Sequence, residues 1–342
     1  MSDAKTLSEV AQFHARITEA LHRVIVGQTE SIDHVLVALL TGGHVLLTGG
    51  AATAKGLVVQ CVARATGLDF KRVQFTPDLM PSDITGAEVL EEEASSGKRV
   101  ARFVVGPVFT NILMGDEINR TPPKTQAALL EAMQERQVTT GGMTRPLPQP
   151  FFVMATKTSS ETDGTYPLPE AQQDRFMLDV EMKALSPEDE VKVVLTNPIE
   201  ALGSITPVVD GPGLLAFQEL VRGVLIAPAV QEYIVDLTAA SRPHTPVALE
   251  CVNKYVAWGA GVRATQCLAL GAKATAAMAG RGSAGIEDVR AVALPVMRHR
   301  IGLNFRAEND AVTAVNLVEQ LIAQVKVPSG ARSSAAAQAV PA

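Results

Sequence analysis

Two adjacent carboxylates, Asp116 and Glu117, are the residues of this chain best suited to chemistry. They follow residues 111–115, an apolar run of the kind that forms a buried strand and delivers side chains to its carboxyl end. An aspartate in that place can hold a hydrated Mg²⁺, and the glutamate after it can orient and deprotonate a water. The pair therefore predicts the Walker-B half of a nucleotide-hydrolysing site.

A candidate phosphate-binding loop lies upstream. In a P-loop, G-x-x-x-x-G-K-[ST], backbone N–H groups wrap the phosphates, the lysine reaches the β and γ oxygens, and the hydroxyl binds Mg²⁺. The residues in these positions are Gly49, Gly50, Ala51, Ala52, Thr53, Ala54, Lys55 and Gly56. The lysine is present, but Gly56 supplies no hydroxyl and Ala52 stands where glycine is common. The loop alone is weak evidence, and the Walker-B strand downstream strengthens it.

The elements that must position these residues alternate between strand and helix. Strand patterns occur at residues 44–48, 71–75, 111–115 and 151–156, with helix-compatible sequence between them. This alternation predicts a parallel sheet covered on both faces. Two hairpins are also predicted, one over residues 88–105 with its turn at 95–98, and one over 137–152 with its turn at Gly141 and Gly142. A first helix is predicted over residues 8–26, with Ser8 as its N-cap.

Strand patterns stop at Ser186, which begins a helix with Pro187 in its first turn. Helical segments run from there to about residue 324, with breaks at 211–213, 242–246 and 280–285 and a last helix over 309–325. We therefore predict a core domain over residues 1–185, a helical domain over 186–327 and a disordered tail over 328–342.

Composition excludes several classes of protein. Of the 342 residues 47% are hydrophobic, which predicts a globular chain, whereas 4% aromatic residues and a net charge of −6 argue against a nucleic-acid binder. Three cysteines without metal-site spacing suggest neither a disulfide framework nor a zinc site. The sequence has no 18-residue apolar run and no signal-peptide pattern, so we expect no membrane insertion and a cytoplasmic location.

Several longer strings resemble the MoxR family of AAA+ ATPases. The similar segments are residues 26–28, 74–86, 116–120, 122–138 and 164–172, and the resemblance covers roughly residues 8–326. It implies an AAA+ P-loop core, an αβα sandwich around a parallel sheet, followed by an all-helical lid. It also implies ATP and Mg²⁺ as cofactors and a ring, either a homo-hexamer or a mixed ring with a paralogue. Clients would be proteins, including ones with von Willebrand factor A domains.

The resemblance also implies roles for individual residues. Val26 and Gly27 match the adenine pocket, and a helix-terminating turn is the plainer alternative. Arg175 matches the arginine finger that reaches the γ-phosphate of a neighbouring subunit, and a salt bridge to Asp174 or Glu170 is its alternative. Arg263 matches the sensor-2 arginine that a lid helix lowers onto the phosphates; its alternative is an ordinary surface arginine.

Two departures from the family pattern bear on activity. Thr158 stands at the sensor-1 asparagine and Gly56 at the metal-binding hydroxyl. Each loss would cost about 1–3 kcal/mol of transition-state stabilisation, or together roughly 10²–10⁴-fold in rate. We therefore expect slow ATP hydrolysis. The alternative is a nucleotide-sensing or structural ring subunit without useful turnover. A small-molecule P-loop kinase is disfavoured, because it explains neither Arg175 nor the helical C-terminal third.

Overall fold

The computed structural model describes residues 6–50, 53–92, 99–157 and 165–328. Its strands are β1 (Val45–Thr48), β2 (Phe70–Gln74), β3 (Gly86–Glu92), β4 (Arg99–Val105), β5 (Ile112–Asp116), β6 (Gln137–Thr140), β7 (Met143–Pro146), β8 (Phe152–Thr156), β9 (Leu178–Glu181), β10 (Leu225–Ile226), β11 (Val256–Trp258), β12 (Ser283–Ala284) and β13 (Gly302–Leu303).

The helices of the first half are α1 (Leu7–His22), α2 (Thr29–Thr41), α3 (Lys55–Thr66), α4 (Pro81–Thr85), a 3₁₀ turn (Ile118–Arg120), α5 (Pro123–Glu135) and α6 (Glu170–Gln173). Those of the second half are α7 (Pro187–Val194), α8 (Pro198–Gly203), α9 (Gly211–Gly223), α10 (Pro228–Ala240), α11 (Glu250–Tyr255), α12 (Val262–Met278), α13 (Ile286–Met297), α14 (Phe305–Asn309) and α15 (Ala314–Gln324).

A five-stranded parallel sheet in the order β2-β5-β8-β1-β9 forms the centre of the fold. The four predicted strands are confirmed, with ends shifted by one residue. The fifth strand, β9, was not predicted because its four residues alternate apolar and acidic side chains and form no apolar run.

The two faces of the sheet bury alternate side chains. Leu46, Leu113 and Val153 pack with helix α5 on one face. Their chain neighbours pack with helices α1, α2 and α3 on the other. Both faces are therefore covered, and the predicted αβα sandwich is confirmed.

Both predicted hairpins form. Strands β3 and β4 pair from Gly86 to Glu92, and the predicted turn at 95–98 lies outside the described residues. Strands β6 and β7 turn at Gly141 and Gly142 as predicted. The predicted end of this hairpin at residue 152 is wrong, because β7 ends at Pro146 and Phe152 begins β8 of the main sheet.

Two predicted helix limits are also wrong. The first helix begins after Thr6, not Ser8, because Thr6 and Glu9 form a reciprocal capping box, and the helix ends at His22. The last helix begins after Thr313, whose side chain accepts a hydrogen bond from the Asn316 N–H, so the stretch before it belongs to the separate helix α14.

The C-terminal part is helical, as predicted, with details that the sequence did not reveal. Helix α7 begins at the predicted Ser186 cap. Residues 211–213 do not interrupt a helix but form the first turn of α9, capped by Asp210. Two short strand pairs, β10 with β12 and β11 with β13, lie among the helices, so this part is not wholly helical. Residues 329–342 of the predicted tail lie outside the described residues.

The C-terminal helices pack directly on the first part of the chain. Helix α12 lies against α1 and α2, and α13 lies against β9. One continuous apolar core therefore joins the helices of the C-terminal part to one face of the sheet. No helix within the described ranges is long and apolar enough to span a membrane.

Candidate nucleotide site

The carboxyl-terminal edge of the sheet brings the predicted phosphate loop and the predicted carboxylates together. Gly49 follows β1, and Asp116 ends β5. Thr156 ends β8, the strand that lies between β1 and β5. Ligands of parallel α/β sheets bind at this edge. Ala51, Ala52 and Thr158, which the sequence also predicted here, lie outside the described residues.

The loop after β1 has two residues in unusual backbone conformations. Gly49 has φ 135°, and a Cβ at that position would overlap the carbonyl oxygen of Met182, so glycine is required. Ala54 has φ 60°, directly before helix α3. A left-handed conformation costs a residue with a Cβ about 1–2 kcal/mol. Ala54 is thus a third departure from the P-loop pattern, where glycine occupies this position.

The Lys55 side chain folds over the loop at the start of α3. Its Nζ donates to the carbonyl oxygens of Gly49 at 2.9 Å and Gly50 at 2.7 Å, and to Thr53 Oγ1 at 3.3 Å. Burial lowers the pKa of Lys55, and the nearby charges of Asp116 and Glu117 oppose that shift. The structure therefore brings the predicted lysine and both carboxylates within electrostatic range, at a helix N-terminus that favours anions.

Asp116 is held by two side chains that the sequence analysis did not identify. Thr156 Oγ1 donates to Asp116 Oδ1 at 2.6 Å, and Arg72 on β2 pairs with Oδ2, with its Nε at 3.1 Å. The sheet register explains the contact of Arg72, because Gln74 lies opposite Asp116 and Arg72 is two residues away on the same face of β2. Thr156 was visible only as the last residue of a predicted strand.

Glu117 lies beside Asp116 in a left-handed conformation, with φ 57°. Its N–H donates to Thr156 Oγ1 at 2.8 Å. Its carboxylate accepts from Gln74 Nε2 at 3.1 Å and pairs with Arg120 Nε at 3.0 Å. The backbone conformation turns the chain after β5, so that the two adjacent carboxylates lie in different surroundings.

The carboxylate of Asp116 fits a magnesium ion that is held mainly by phosphates and water. Within the ranges that the structure describes, no group of three or more His, Cys, Asp or Glu side chains could hold a metal ion. Mg²⁺ needs only one or two carboxylates when it also binds phosphates and water, and Asp116 supplies one. At Gly56 a Cβ would stand 3.2 Å from Met114 Cε, so a larger side chain there would require that methyl group to move aside.

An apolar cavity of about 510 Å³ adjoins the phosphate loop. Its walls include Val24, Ile25, Val26, Leu57, Leu185 and Val193, and Thr53 and Ala54 of the loop reach it. Gly27, with φ 65°, makes the turn beside Val26, and a Cβ there would approach Leu185 Cδ2 to 3.2 Å. The cavity has the size and apolar character of a site for a flat heterocyclic base.

The two predicted arginines lie at the other end of the sheet. The Met177 N–H donates to His44 O at 2.8 Å, which places Arg175 beyond the amino-terminal end of β1. The length of that four-residue strand, about 13 Å at 3.3 Å per residue, separates this end from the phosphate loop. Arg263 pairs with Asp174 at 3.1 Å, beside Arg175. Arg263 therefore lies away from the phosphate loop of the same chain, and its sensor-2 role stays a prediction.

The sequence offered Asp174 or Glu170 as alternative salt-bridge partners of Arg175, and the carboxylate of Asp174 is engaged elsewhere. Asp174 pairs with Arg263 and, at 2.7 Å, with the buried Arg300. Among the described residues, no ion pair or side-chain hydrogen bond of Arg175 is found. Within the ranges that the structure describes, the Arg175 guanidinium is thus left available to an anion.

Comparison with known proteins agrees with this geometry. Residues 44–178 match the family model of ATPases associated with various cellular activities (AAA), and residues 249–321 match the AAA lid domain. The chain is 38% identical to Chaperone MoxR1 of Mycobacterium tuberculosis, over 90% of this chain and 80% of that protein. It is 31% identical to Protein MoxR of Paracoccus denitrificans, over 94% of this chain and 99% of that protein. The crystal structure of a candidate ATPase from Cytophaga hutchinsonii superposes with a TM-score of 0.85 at 36% identity, covering 94% of this chain and 97% of that one.

Proposed function

Because the chain belongs to the MoxR family of AAA ATPases, we propose that it binds ATP with Mg²⁺ between neighbouring copies in a ring. Slow hydrolysis there would remodel a partner protein. One observation carries the proposal. Lys55, Asp116 and Glu117 lie at one end of the sheet, whereas Arg175 and Arg263 lie at the other end, beyond the amino-terminal end of β1.

One subunit supplies the binding half of the site. The apolar cavity beside Val26 takes the adenine, and the phosphates lie at the N-terminus of α3. Lys55 exchanges its bonds to the loop carbonyls for bonds to the β and γ oxygens. Asp116 would hold Mg²⁺, and Glu117 would orient the attacking water and accept its proton. Bound ATP would supply the transferable phosphoryl group, and Mg²⁺ would neutralise part of its charge.

The neighbouring subunit supplies Arg175 and Arg263. Two different surfaces then meet at each contact, and repetition of such a contact closes a ring, in this proposal a hexamer. We assign residues 1–185 to the core and 186–327 to the lid. Hydrolysis would shift the lid against the core and move the two hairpins on a client. The name of the relative Chaperone MoxR1 supports a protein client; a von Willebrand factor A domain partner stays an expectation from the family resemblance.

Turnover should be slow. Gly56 offers no metal-binding hydroxyl, and Ala54 holds a conformation that glycine would hold without strain. The same features support the second candidate function, a ring subunit that binds nucleotide without useful turnover. The two candidates differ in one measurable quantity, the rate of phosphate release.

Phosphate release from the purified protein and from Glu117→Gln decides between them. Turnover above that of Glu117→Gln, together with specific activity that rises with protein concentration, supports a shared hydrolytic site. Glu135→Gln, which changes an exposed glutamate at the end of α5, controls for the loss of a charge. Equal rates in the parent protein and Glu117→Gln would instead favour the structural subunit.

A further inference from the structure

We propose that Arg300 is a positioning residue. It fixes the backbone of the segment that carries Arg175 and so determines where one subunit presents that arginine to its neighbour. This inference rests on the proposed function. The segment is residues 174–177, between helix α6 and strand β9. Arg300 follows helix α13, in the part of the chain that packs as a lid.

The Arg300 guanidinium is buried and surrounded by acceptors of this segment. It is 2% exposed, and Nε donates to Asp174 Oδ1 at 2.7 Å. The other donors reach main-chain oxygens: Asp174 O at 2.9 Å, Phe176 O at 2.6 Å, Met177 O at 3.0 Å and Val296 O at 2.5 Å. All three guanidinium nitrogens are therefore used, and each of them reaches the segment.

This arrangement binds the backbone on both sides of Arg175. Arg300 donates to the carbonyl groups of residues 174, 176 and 177, and among the described residues no hydrogen bond from it to Arg175 is found. His299 adds a contact between its Nε2 and Phe176 O at 3.2 Å. Burial lowers the pKa of His299, so the ring is neutral at pH 7 and its Nε2–H donates. The backbone is fixed while the Arg175 side chain keeps its freedom to reach an external phosphate.

Two lid elements meet at Asp174. Arg263 at the start of α12 binds its Oδ2 at 3.1 Å, and Arg300 after α13 binds its Oδ1. Arg263 can therefore leave Asp174 for a neighbour's phosphate without leaving that carboxylate unpaired. The Met177 N–H is bound by His44 O at the start of β1, whose other end carries the phosphate loop. A displacement of the lid would therefore move residues 174–177 and, through Met177, the start of strand β1, which leads to the phosphate loop.

Arg298 provides a matched control in the same turn. It pairs with Glu181 at 2.9 Å, at the opposite end of β9, and no hydrogen bond from it to residues 174–177 is found among the described residues. If the loss of any lid arginine disturbed residues 174–177, substitution of Arg298 and substitution of Arg300 would both disturb them. If the positioning contact is what matters, only substitution of Arg300 would do so.

Hydrogen exchange tests the positioning directly. In Arg300→Gln the amides of Phe176 and Met177 should exchange at least about tenfold faster than in the parent protein, whereas Arg298→Gln should leave them unchanged. Asp174→Asn, at a half-exposed position, is a milder variant with the same expectation if Arg300→Gln folds poorly. Equal protection in all variants, or equal loss in both arginine variants, would overturn the proposal.

Mixed assemblies test the consequence for the neighbour. Arg175→Ala subunits keep an intact binding half, and Glu117→Gln subunits keep an intact arginine, so mixing them should restore turnover. Arg300→Gln added to the Glu117→Gln subunit should abolish that recovery, whereas added to the Arg175→Ala subunit it should leave it intact. A positioning role is contradicted if Arg300→Gln abolishes the recovered turnover whichever of the two subunits carries it, or if it abolishes it in neither. If the mixture of Arg175→Ala and Glu117→Gln subunits recovers no turnover, the proposed function fails. Hydrogen exchange then still decides whether Arg300 fixes the segment.

Discussion

Thr156 Oγ1 donates a hydrogen bond to the Asp116 carboxylate at 2.6 Å, from the neighbouring strand of the sheet. The same oxygen accepts the N–H of Glu117 at 2.8 Å. A single buried hydroxyl therefore binds the carboxylate of Asp116 and the backbone of Glu117. The proposed chemistry depends on this contact, because the metal ligand and the water-activating group must point in different directions.

Thr156→Val keeps the shape of the side chain and removes both hydrogen bonds. We expect turnover to fall about tenfold or more, since each bond to a charged or positioned group contributes roughly 1 kcal/mol or more. Nucleotide affinity should change little, because Lys55 and the cavity remain. Thr110→Val, another buried threonine bonded to the Asp69 carbonyl, should leave turnover unchanged. Equal losses in the two variants would show a general packing defect.

Lys55→Ala should abolish nucleotide binding. Its Nζ is the side-chain cation that the structure places at the phosphate loop, where it now binds the carbonyls of Gly49 and Gly50. Titration of a fluorescent ATP analogue measures the affinity. Lys71→Ala, on strand β2 with its Nζ bonded to Phe109 O, is the control and should bind as the parent does. Undiminished affinity in Lys55→Ala would show that this loop does not hold phosphate.

Gly56→Thr should raise turnover by restoring the hydroxyl that binds Mg²⁺ in a P-loop. The new Cβ would lie 3.2 Å from Met114 Cε, a flexible methyl that can move aside. Gly56→Val has the same shape without the hydroxyl and should not raise turnover. Adding Thr158→Asn to Gly56→Thr should raise it further. Phosphate release at saturating ATP gives the comparison, and no gain over Gly56→Val would remove Gly56 as the limiting feature.

Acid should destabilise the protein through His44. This residue is buried at the start of β1, where its Nδ1 accepts the Val153 N–H at 3.0 Å and its Nε2 bonds Met133 O at 3.2 Å. Burial lowers the pKa of His44 to about 4, so between about pH 6.5 and 4 the unfolded chain binds a proton that the folded chain does not. The free energy of unfolding should therefore fall with decreasing pH.

His44→Gln isolates this contribution. Its free energy of unfolding should decline less steeply than that of the parent protein, by up to about 1.4 kcal/mol per pH unit over the same range. His14→Gln, at a partly exposed histidine on α1, is the control and should leave most of the slope in place. Urea unfolding at several pH values measures the slopes. Identical slopes in the parent protein and His44→Gln would exclude His44 as the acid-sensitive group.

Local sequence patterns predicted the parts of the fold in which one segment determines its own structure. The strands ending at Thr48, Asp116 and Thr156 were visible as apolar runs, and the Ser186 cap as a helix start. Strand β9 was missed because its four residues form no apolar run and become a strand only through pairing with β1. Thr6 and Glu9 have the spacing of a capping box in the sequence, but the N-cap was assigned to Ser8.

The site was predictable to a similar extent. Lys55, Asp116 and Glu117 were identified from types and spacing, and the structure brings them together. Arg72 and Arg300 could not be identified in this way, because their partners lie 44 and 126 residues away and are brought close only by the fold. The position of Arg263 depends equally on how the lid packs, which no local pattern records.

The central claim is that the nucleotide site is completed by a second copy of the chain. Light scattering coupled to size exclusion, on Glu117→Gln at tens of micromolar with and without ATP, tests it most directly because bound ATP is not consumed. Since ATP and subunit contact should stabilise each other, we predict a shift from the 36.1 kDa monomer toward six times that mass when ATP is added. The additional change Arg175→Ala should weaken the shift without loss of ATP affinity. A protein that stays at monomer mass with ATP bound would contradict the shared site.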